Sequence, residues 1–257
     1  MIVYALLAHE NEEALLRQVR NIKKFNRKDT QIVLYNGGFN KDFGKITEKL
    51  ENIHICPYSR PFEPLMTGRM FYDVARWLKE NRVKYNYLVY TEYDMMFVNH
   101  GFEDRLDELL MGYDCIWKFT KTYKAYDQKI WKPAERLLKE QEAWKDILPG
   151  NQIYRTSNPL QCYKRKIVKK MLARIDEERM EQFFSSVKVR NLGEMLYPTL
   201  AAVSGAKFRR YPKPFRKFLR WKPSLTIKEV KKAKKHGDIY VVHPVKDEEV
   251  QDWLYSH

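Results

Sequence analysis

The segment Tyr87-Leu88-Val89-Tyr90-Thr91-Glu92-Tyr93-Asp94-Met95-Met96-Phe97-Val98 constrains the fold more than any other. Its β-branched and aromatic residues suit a buried strand. Two carboxylates, Glu92 and Asp94, interrupt it. Side chains two apart in an extended chain share a face, and like charges side by side away from water repel and lose hydration. Either the strand ends at Thr91 with both acids in water, or a cation lies between them. Mg²⁺ or Mn²⁺ suits the second case, because each takes carboxylate oxygens, keeps some waters and accepts substrate phosphates in its remaining positions.

The first half alternates two periodicities. Residues 2–8 form a short apolar run. Residues 11–25 place Ala14, Leu15, Val19 and Ile22 on one helix face. Residues 31–35 are β-rich and stop at the turn signal Asn36-Gly37-Gly38, and 53–56 form a strand ended by Pro57. Residues 67–81 predict a helix with Met70, Phe71, Val74, Trp77 and Leu78 inward, and 87–90 the next strand. Alternation of this kind predicts a central, mostly parallel sheet with crossover helices, an α/β fold. Ligands of such sheets sit at strand carboxyl ends, where His9, Glu10, Asn11, Asn36, Gly37, Glu92 and Asp94 all fall.

The second half is less regular. Helices are expected at 101–111, 133–144, 166–175 and 191–202, the last kinked or restarted by Pro198. Strands are expected at 113–119, 158–163, 208–211 and 239–242. With no repeat or low-complexity linker, residues 1–257 predict one compact unit.

Cys56, Cys115 and Cys162 are far apart and lack zinc-type spacing, so a disulfide framework is not expected and a reducing, cytoplasmic setting is. The run 2–8 is too short for a membrane span and has no basic start. Between Lys207 and Lys235, thirteen Lys or Arg face one acid, Glu229, a net +12 of the chain's +15. Such a segment is either a solvated basic face or a surface for nucleic acid, anionic membrane or an anionic acceptor.

Further residues carry possible chemistry beside plainer roles. His243 follows the strand 239–242; a neutral imidazole there completes a carboxylate metal site, or simply bonds backbone. Glu194 opens an apolar helix, as a dipole-matched charge or as a base for an acceptor hydroxyl. His9, Glu10 and Asn11 with Asn36 offer groups for a base and ribose, though Asn11 equally suits a helix N-cap. Arg69 at a helix start is either a diphosphate or sugar contact or a solvated residue. Trp117, Tyr123, Tyr126 and Trp131 could stack on an acceptor sugar or belong to the core. The loop after the first strand has no glycine and several acids, and neither a P-loop nor GxGxxG occurs, which disfavours a nucleotidyltransferase.

Together these features resemble nucleotide-sugar glycosyltransferases of the GT-A fold, over most of the chain and best in its first half. The resemblance implies a three-layer sandwich whose residues 1–98 hold a nucleoside-diphosphate sugar, UDP-linked, and whose residues 99–257 hold the acceptor, with the basic segment 207–235. It implies Asp94 and His243 as ligands of Mn²⁺ or Mg²⁺, and Glu92 touching the metal indirectly, or the sugar or ribose. It implies His9, Glu10, Asn11, Asn36 and Arg69 around the donor and Glu194 as the base of an inverting transfer. The acceptor would be a glycan, lipid-linked or other hydroxyl compound, and the basic segment could hold a cytoplasmic enzyme at the inner membrane face. One departure is Glu92, which stands where the motif more usually begins with Asp. The competing reading is a nucleic-acid-binding or other anion-binding protein that stacks bases on Phe208, Tyr211, Phe215, Phe218 and Trp221. It has no recognised nucleic-acid motif behind it and leaves the acidic pair unexplained.

Overall fold

The computed structural model of the protein describes residues 1–62 and 68–257. The first half alternates as expected, through β1 (Ile2–Ala8), α1 (Glu12–Phe25), β2 (Gln31–Asn36), β3 (Ile53–Ile55), α2 (Arg69–Glu80) and β4 (Tyr87–Glu92). Then come β5 (Met96–Phe97), α3 (Phe102–Leu109), β6 (Cys115–Trp117), β7 (Lys121–Lys124), α4 (Lys132–Lys139) and β8 (Gln152–Arg155). They are followed by β9 (Cys162–Lys164), α5 (Arg165–Ala173), α6 (Glu177–Ser186), α7 (Gly193–Val203) and β10 (Phe208–Arg210). The chain ends through α8 (Lys213–Arg216), α9 (Ile227–Lys234), β11 (Val241–Val242) and α10 (Glu248–Ser256).

Among the described residues, seven strands form one sheet in the order β10-β6-β9-β4-β1-β2-β3. Its pairings are parallel except at β9, which runs antiparallel to both β4 and β6. Strand β1 lies between β4 and β2 and is buried along its whole length. Its side chains alternate between two cores, as the two-residue period of a strand requires. Val3, Ala5 and Leu7 join a core with residues of α2, α5, α6 and α7. Ile2, Tyr4 and Leu6 join a second core with α1 and α3. The result is the expected three-layer α/β sandwich. A third, smaller core gathers Val230 and Ala233 of α9, Val242 of β11 and Val250 and Leu254 of α10.

Several elements differ from expectation for identifiable reasons. Thr67 lies outside the described residues, and α2 begins at Arg69. The helix expected at 133–144 ends at Lys139 and continues as a 3₁₀ turn, Gln141–Trp144. The strand expected at 158–163 starts only at Cys162, because Leu160 takes a left-handed φ of 65° that breaks extension. Pro198 does not restart α7, which runs as one helix from Gly193 to Val203 around it. Pro198 has no N–H for the carbonyl of Glu194, four residues earlier. That carbonyl instead accepts the Thr156 N–H at 2.9 Å. The proline thus ties the helix start to the end of β8.

The basic segment is also corrected. Tyr211, Phe215 and Phe218 are buried and unavailable for stacking on bases. Phe208 packs on the buried Trp117, with ring centroids 5.0 Å apart. Trp221 is 80% exposed, with the Lys222 ammonium 4.6 Å from its ring centroid. Among the described residues no helix is long and apolar enough to cross a membrane.

Candidate active site

The carboxyl end of β4 is the centre of the site. Glu92 is the last strand residue, and a tight turn follows, in which the Met95 N–H donates to the Glu92 carbonyl at 3.0 Å. The two acids therefore converge across a turn rather than along an extended strand. β5, just after the turn, pairs antiparallel with β11, setting Met96 opposite Val242. This short ladder places the next residue, His243, against the acids. His243 Nε2 lies 3.2 Å from Asp94 Oδ1 and 3.4 Å from Glu92 Oε2. Backbone bonds fix the arrangement: the Val245 N–H donates to the Asp94 carbonyl at 2.8 Å, and the His243 N–H to the Phe218 carbonyl at 2.9 Å. The backbone reading of His243 thus holds for its N–H, while its ring faces the carboxylates.

One ligand atom each from Glu92, Asp94 and His243 lies within 4.8 Å of the others. Asp94 is buried, and its Oδ1 accepts no hydrogen bond of good geometry among the described residues. A buried carboxylate oxygen left without a donor is costly. Two carboxylates and an imidazole are a donor set suited to Mn²⁺ or Mg²⁺. Burial pushes the His243 imidazole down, but the Asp94 and Glu92 carboxylates outweigh it and raise it to about 9. Lys246 Nζ lies 3.9 Å from Asp94 Oδ2, on the exposed side.

Beside this cluster opens a cleft of ≈ 600 Å³ that Glu92, His243 and Glu194 all line. Glu194 is held from two sides: Arg155 Nε donates to Oε2 at 2.9 Å, and Asn191 Nδ2 to Oε1 at 3.3 Å. Burial raises the Glu194 carboxyl above its ordinary value, against the pull of Arg155 and Asn191. Arg155 also lies over the Trp131 ring, 3.5 Å from its centroid. Of the aromatics considered for an acceptor, Trp131 and, unforeseen, Phe119 and Trp221 line the cleft. Trp117 and Tyr123 are buried core residues, and Tyr126 is exposed outside the lining.

The donor-side residues divide. His9 stacks on Phe62 at 5.0 Å and meets the edge of Tyr93 at 5.8 Å, which brings it beside the acidic turn. Glu10 is exposed and 3.3 Å from His9 Nδ1. Asn11 is the N-cap of α1, its Oδ1 accepting the Ala14 N–H at 3.0 Å. Asn36 shapes its own turn, accepting the Gly38 N–H at 2.8 Å and donating to the Asn40 carbonyl at 2.9 Å. Arg69 is not solvated: it is 4% exposed and ion-paired to Asp73 at 3.1 Å and to Glu181. It does not line the cleft.

Sequence reasoning missed four contributors. Arg155, Lys118 and Arg190 are cleft residues without a motif around them. Asn21 in α1 is buried, its Nδ2 donating to the Phe97 carbonyl at 2.9 Å and its Oδ1 accepting the Phe97 N–H at 2.6 Å. It anchors β5, and β5 carries the ladder that positions His243. Polar residues, Gln18 and Asn21, on the buried face of α1 were the available signal.

The layered sheet carries its acidic cluster at the carboxyl end of β4, as the sequence leads one to expect. No protein-family model and no curated protein sequence matches the chain. Solved structures similar to it include the bifunctional IspDF of Campylobacter jejuni, with 14% identity, 90% of this chain and 53% of that one covered, and a TM-score of 0.44. The galactosyltransferase LgtC in complex with donor and acceptor sugar analogues aligns at 12% identity over 100% and 95% of the two chains, with a TM-score of 0.48. The mannosyltransferase PcManGT of Pyrobaculum calidifontis, in complex with GDP-Man and Mn²⁺, aligns at 11% identity over 82% and 55%, with a TM-score of 0.48. The chain spans about half the length of IspDF and of the mannosyltransferase. These are distant likenesses; the architecture stands on the strand order and the two cores described above.

Proposed function

We propose that the chain is a metal-dependent glycosyltransferase that moves a sugar from a nucleoside-diphosphate sugar, UDP-linked, to a hydroxyl acceptor with inversion. The observation that carries this reading is the convergence of Glu92, Asp94 and His243 at the carboxyl end of β4, on the cleft that also holds Glu194. Asp94 and His243 would hold Mn²⁺ or Mg²⁺, with Glu92 beside them touching the ion or the sugar. When bound, the ion supplies positive charge to the departing diphosphate.

The protein's own groups do the rest. Lys246, exposed beside Asp94, adds a cation for the diphosphate. His9, Tyr93 and the turn at Asn36 form the side of the site where a base and ribose would lie, within residues 1–98. Asn11 and Arg69 support that side indirectly, by capping α1 and by fixing the start of α2 through Asp73. Glu194 takes the proton of the acceptor hydroxyl. The freed oxygen pair bonds the anomeric carbon from the face opposite the diphosphate, and the bond to the diphosphate oxygen breaks with its electron pair. A carboxyl raised by burial is a better base than a solvated one. Residues 99–257 supply the acceptor side.

The deciding experiment is thermal stability against a panel of nucleoside diphosphates and nucleotide sugars, with and without Mn²⁺. A ligand that binds only the folded chain raises its melting temperature. A Mn²⁺-dependent rise with one nucleotide, absent in Asp94→Ala, supports the proposal. No response to any nucleotide sinks it.

A further inference from the structure

Resting on the glycosyltransferase reading above, we propose that the acceptor is anionic: it carries a carboxylate or phosphate near the hydroxyl that receives the sugar, and Lys118 and Arg190 bind that group. The cleft brings together four permanent cations, Lys118, Arg155, Arg190 and Arg220, and two carboxylates, Glu92 and Glu194. Both acids are matched, Glu194 by Arg155 at 2.9 Å and Glu92 by His243 at 3.4 Å. Arg220 is matched outside the lining by Glu229, at 2.6 Å from Nη1. Lys118 and Arg190 remain. Neither side chain forms an ion pair or hydrogen bond among the described residues.

Lys118 is the more telling of the two. It is half-buried just after β6, and burial together with the Arg216 guanidinium pushes its amine below the ordinary range. Glu194 offsets this only in part, and a partly desolvated amine beside a second cation gains from a further anion. Ser157 Oγ, in the same lining, has no hydrogen-bond partner among the described residues and is a further donor.

Position assigns the anion to the acceptor rather than to the donor diphosphate. Lys118 is close enough to Glu194 for the two charges to interact, and Glu194 is the group that must touch the acceptor hydroxyl. The cation on the Asp94 side is a different one, Lys246. Trp131 and the exposed Trp221 add apolar faces to the same cleft, as a sugar ring requires. An acidic or phosphorylated sugar satisfies all of these groups together, and a neutral one leaves Arg190 without a counter-ion and Lys118 with only the Glu194 carboxylate that Arg155 already holds.

The test is saturation-transfer NMR and titration calorimetry on the full chain with Mn²⁺ and UDP. The probes are p-nitrophenyl β-glucuronide against the β-glucoside, and glucose 6-phosphate against glucose. The expected result is at least a ~10-fold preference for one anionic probe, weakening as salt rises. A winning glucuronide marks a carboxylate acceptor and a winning phosphate marks a phosphorylated one. Lys118→Met with Arg190→Gln should abolish the preference while leaving the UDP-induced rise in melting temperature intact. Equal binding of charged and neutral probes to the wild type overturns the inference, whether or not the double variant folds. Loss of the UDP response in a folded double variant also overturns it, by assigning the cations to the diphosphate. Absence of any nucleotide response in the wild type is a different failure, which removes the function reading and this inference with it.

Discussion

His243 Nε2 stands 3.2 Å from Asp94 Oδ1, so a residue near the end of the chain completes a site begun by the turn after β4. Remove either and the carboxylate–imidazole set is no longer three-membered. Asp94→Ala and His243→Ala should each abolish Mn²⁺-dependent stabilisation by the matching nucleotide. That stabilisation is about 2.7 kcal/mol when the ligand is at roughly 100 times its Kd. Transfer activity should fall on the order of 10²–10³-fold. A variant that keeps both the metal response and the rate would remove these residues from the site.

Glu194 and Arg155 form a coupled pair at 2.9 Å, and their coupling has a sign. Burial raises the Glu194 carboxyl and Arg155 holds it down. A base works only when deprotonated, so the acid limb of kcat/KM should follow Glu194. Arg155→Ala removes the restraining cation and should move that limb to higher pH. Glu194→Gln should flatten it and lower kcat by roughly 10²–10⁴-fold with nucleotide binding unchanged. An acid limb that stays in place in both variants would assign it to another group.

Asn21 makes two hydrogen bonds to Phe97, at 2.9 and 2.6 Å, from a helix on the far side of β5. Asn21→Ala leaves a buried N–H and a buried carbonyl without partners, at about 1–3 kcal/mol each. The expected loss in urea-denaturation stability is therefore at least about 2 kcal/mol, accompanied by weaker Mn²⁺ binding because β5 loses its anchor. Asn21→Asp keeps the acceptor but buries a charge and turns an oxygen toward the Phe97 carbonyl, so it should cost at least as much as Asn21→Ala. Unchanged metal affinity in a clearly destabilised Asn21→Ala would separate the anchor from the site.

The first half of the fold was legible because each of its elements has one dominant period: β1 and β4 are buried apolar runs, and α1 shows one apolar stripe between Asn11 and Phe25. The acidic pair was legible for the opposite reason, that a buried run tolerates charge only with a counter-charge. The second half was obscured by competing signals. Lysines mask the apolar stripe of α9, although Thr226 and Glu229 form a complete capping box before it. Pro198 suggested a break in α7 because the hydrogen bond it frees is made by Thr156, a residue no local pattern connects to Glu194. Lys118, Arg155 and Arg190 carry no motif, and only the tertiary fold gathers them at one cleft.

Arg220 shows how the basic segment serves the site. Its N–H donates to the His243 carbonyl at 3.0 Å, and its guanidinium grips both Glu229 oxygens at 2.6 and 2.9 Å. Arg220 and the Thr226 cap hold the Glu229 carboxyl down at about 2. A depressed carboxyl contributes stability that is full above its unfolded value, 4.5, and is lost as pH falls through about 2. Water reaches part of this pair and screens it, so the Glu229→Gln loss at pH 7 should be about 1 kcal/mol, the usual value of a helix cap. The difference in melting temperature between wild type and Glu229→Gln should therefore be constant from pH 7 to about 5, then shrink toward pH 2. A gap that stays constant down to pH 2 would mean that shape, and not charge, makes Glu229 useful. The same variant removes the acid that neutralises Arg220 in the cleft lining, so an anionic acceptor should bind it no more weakly than it binds the wild type.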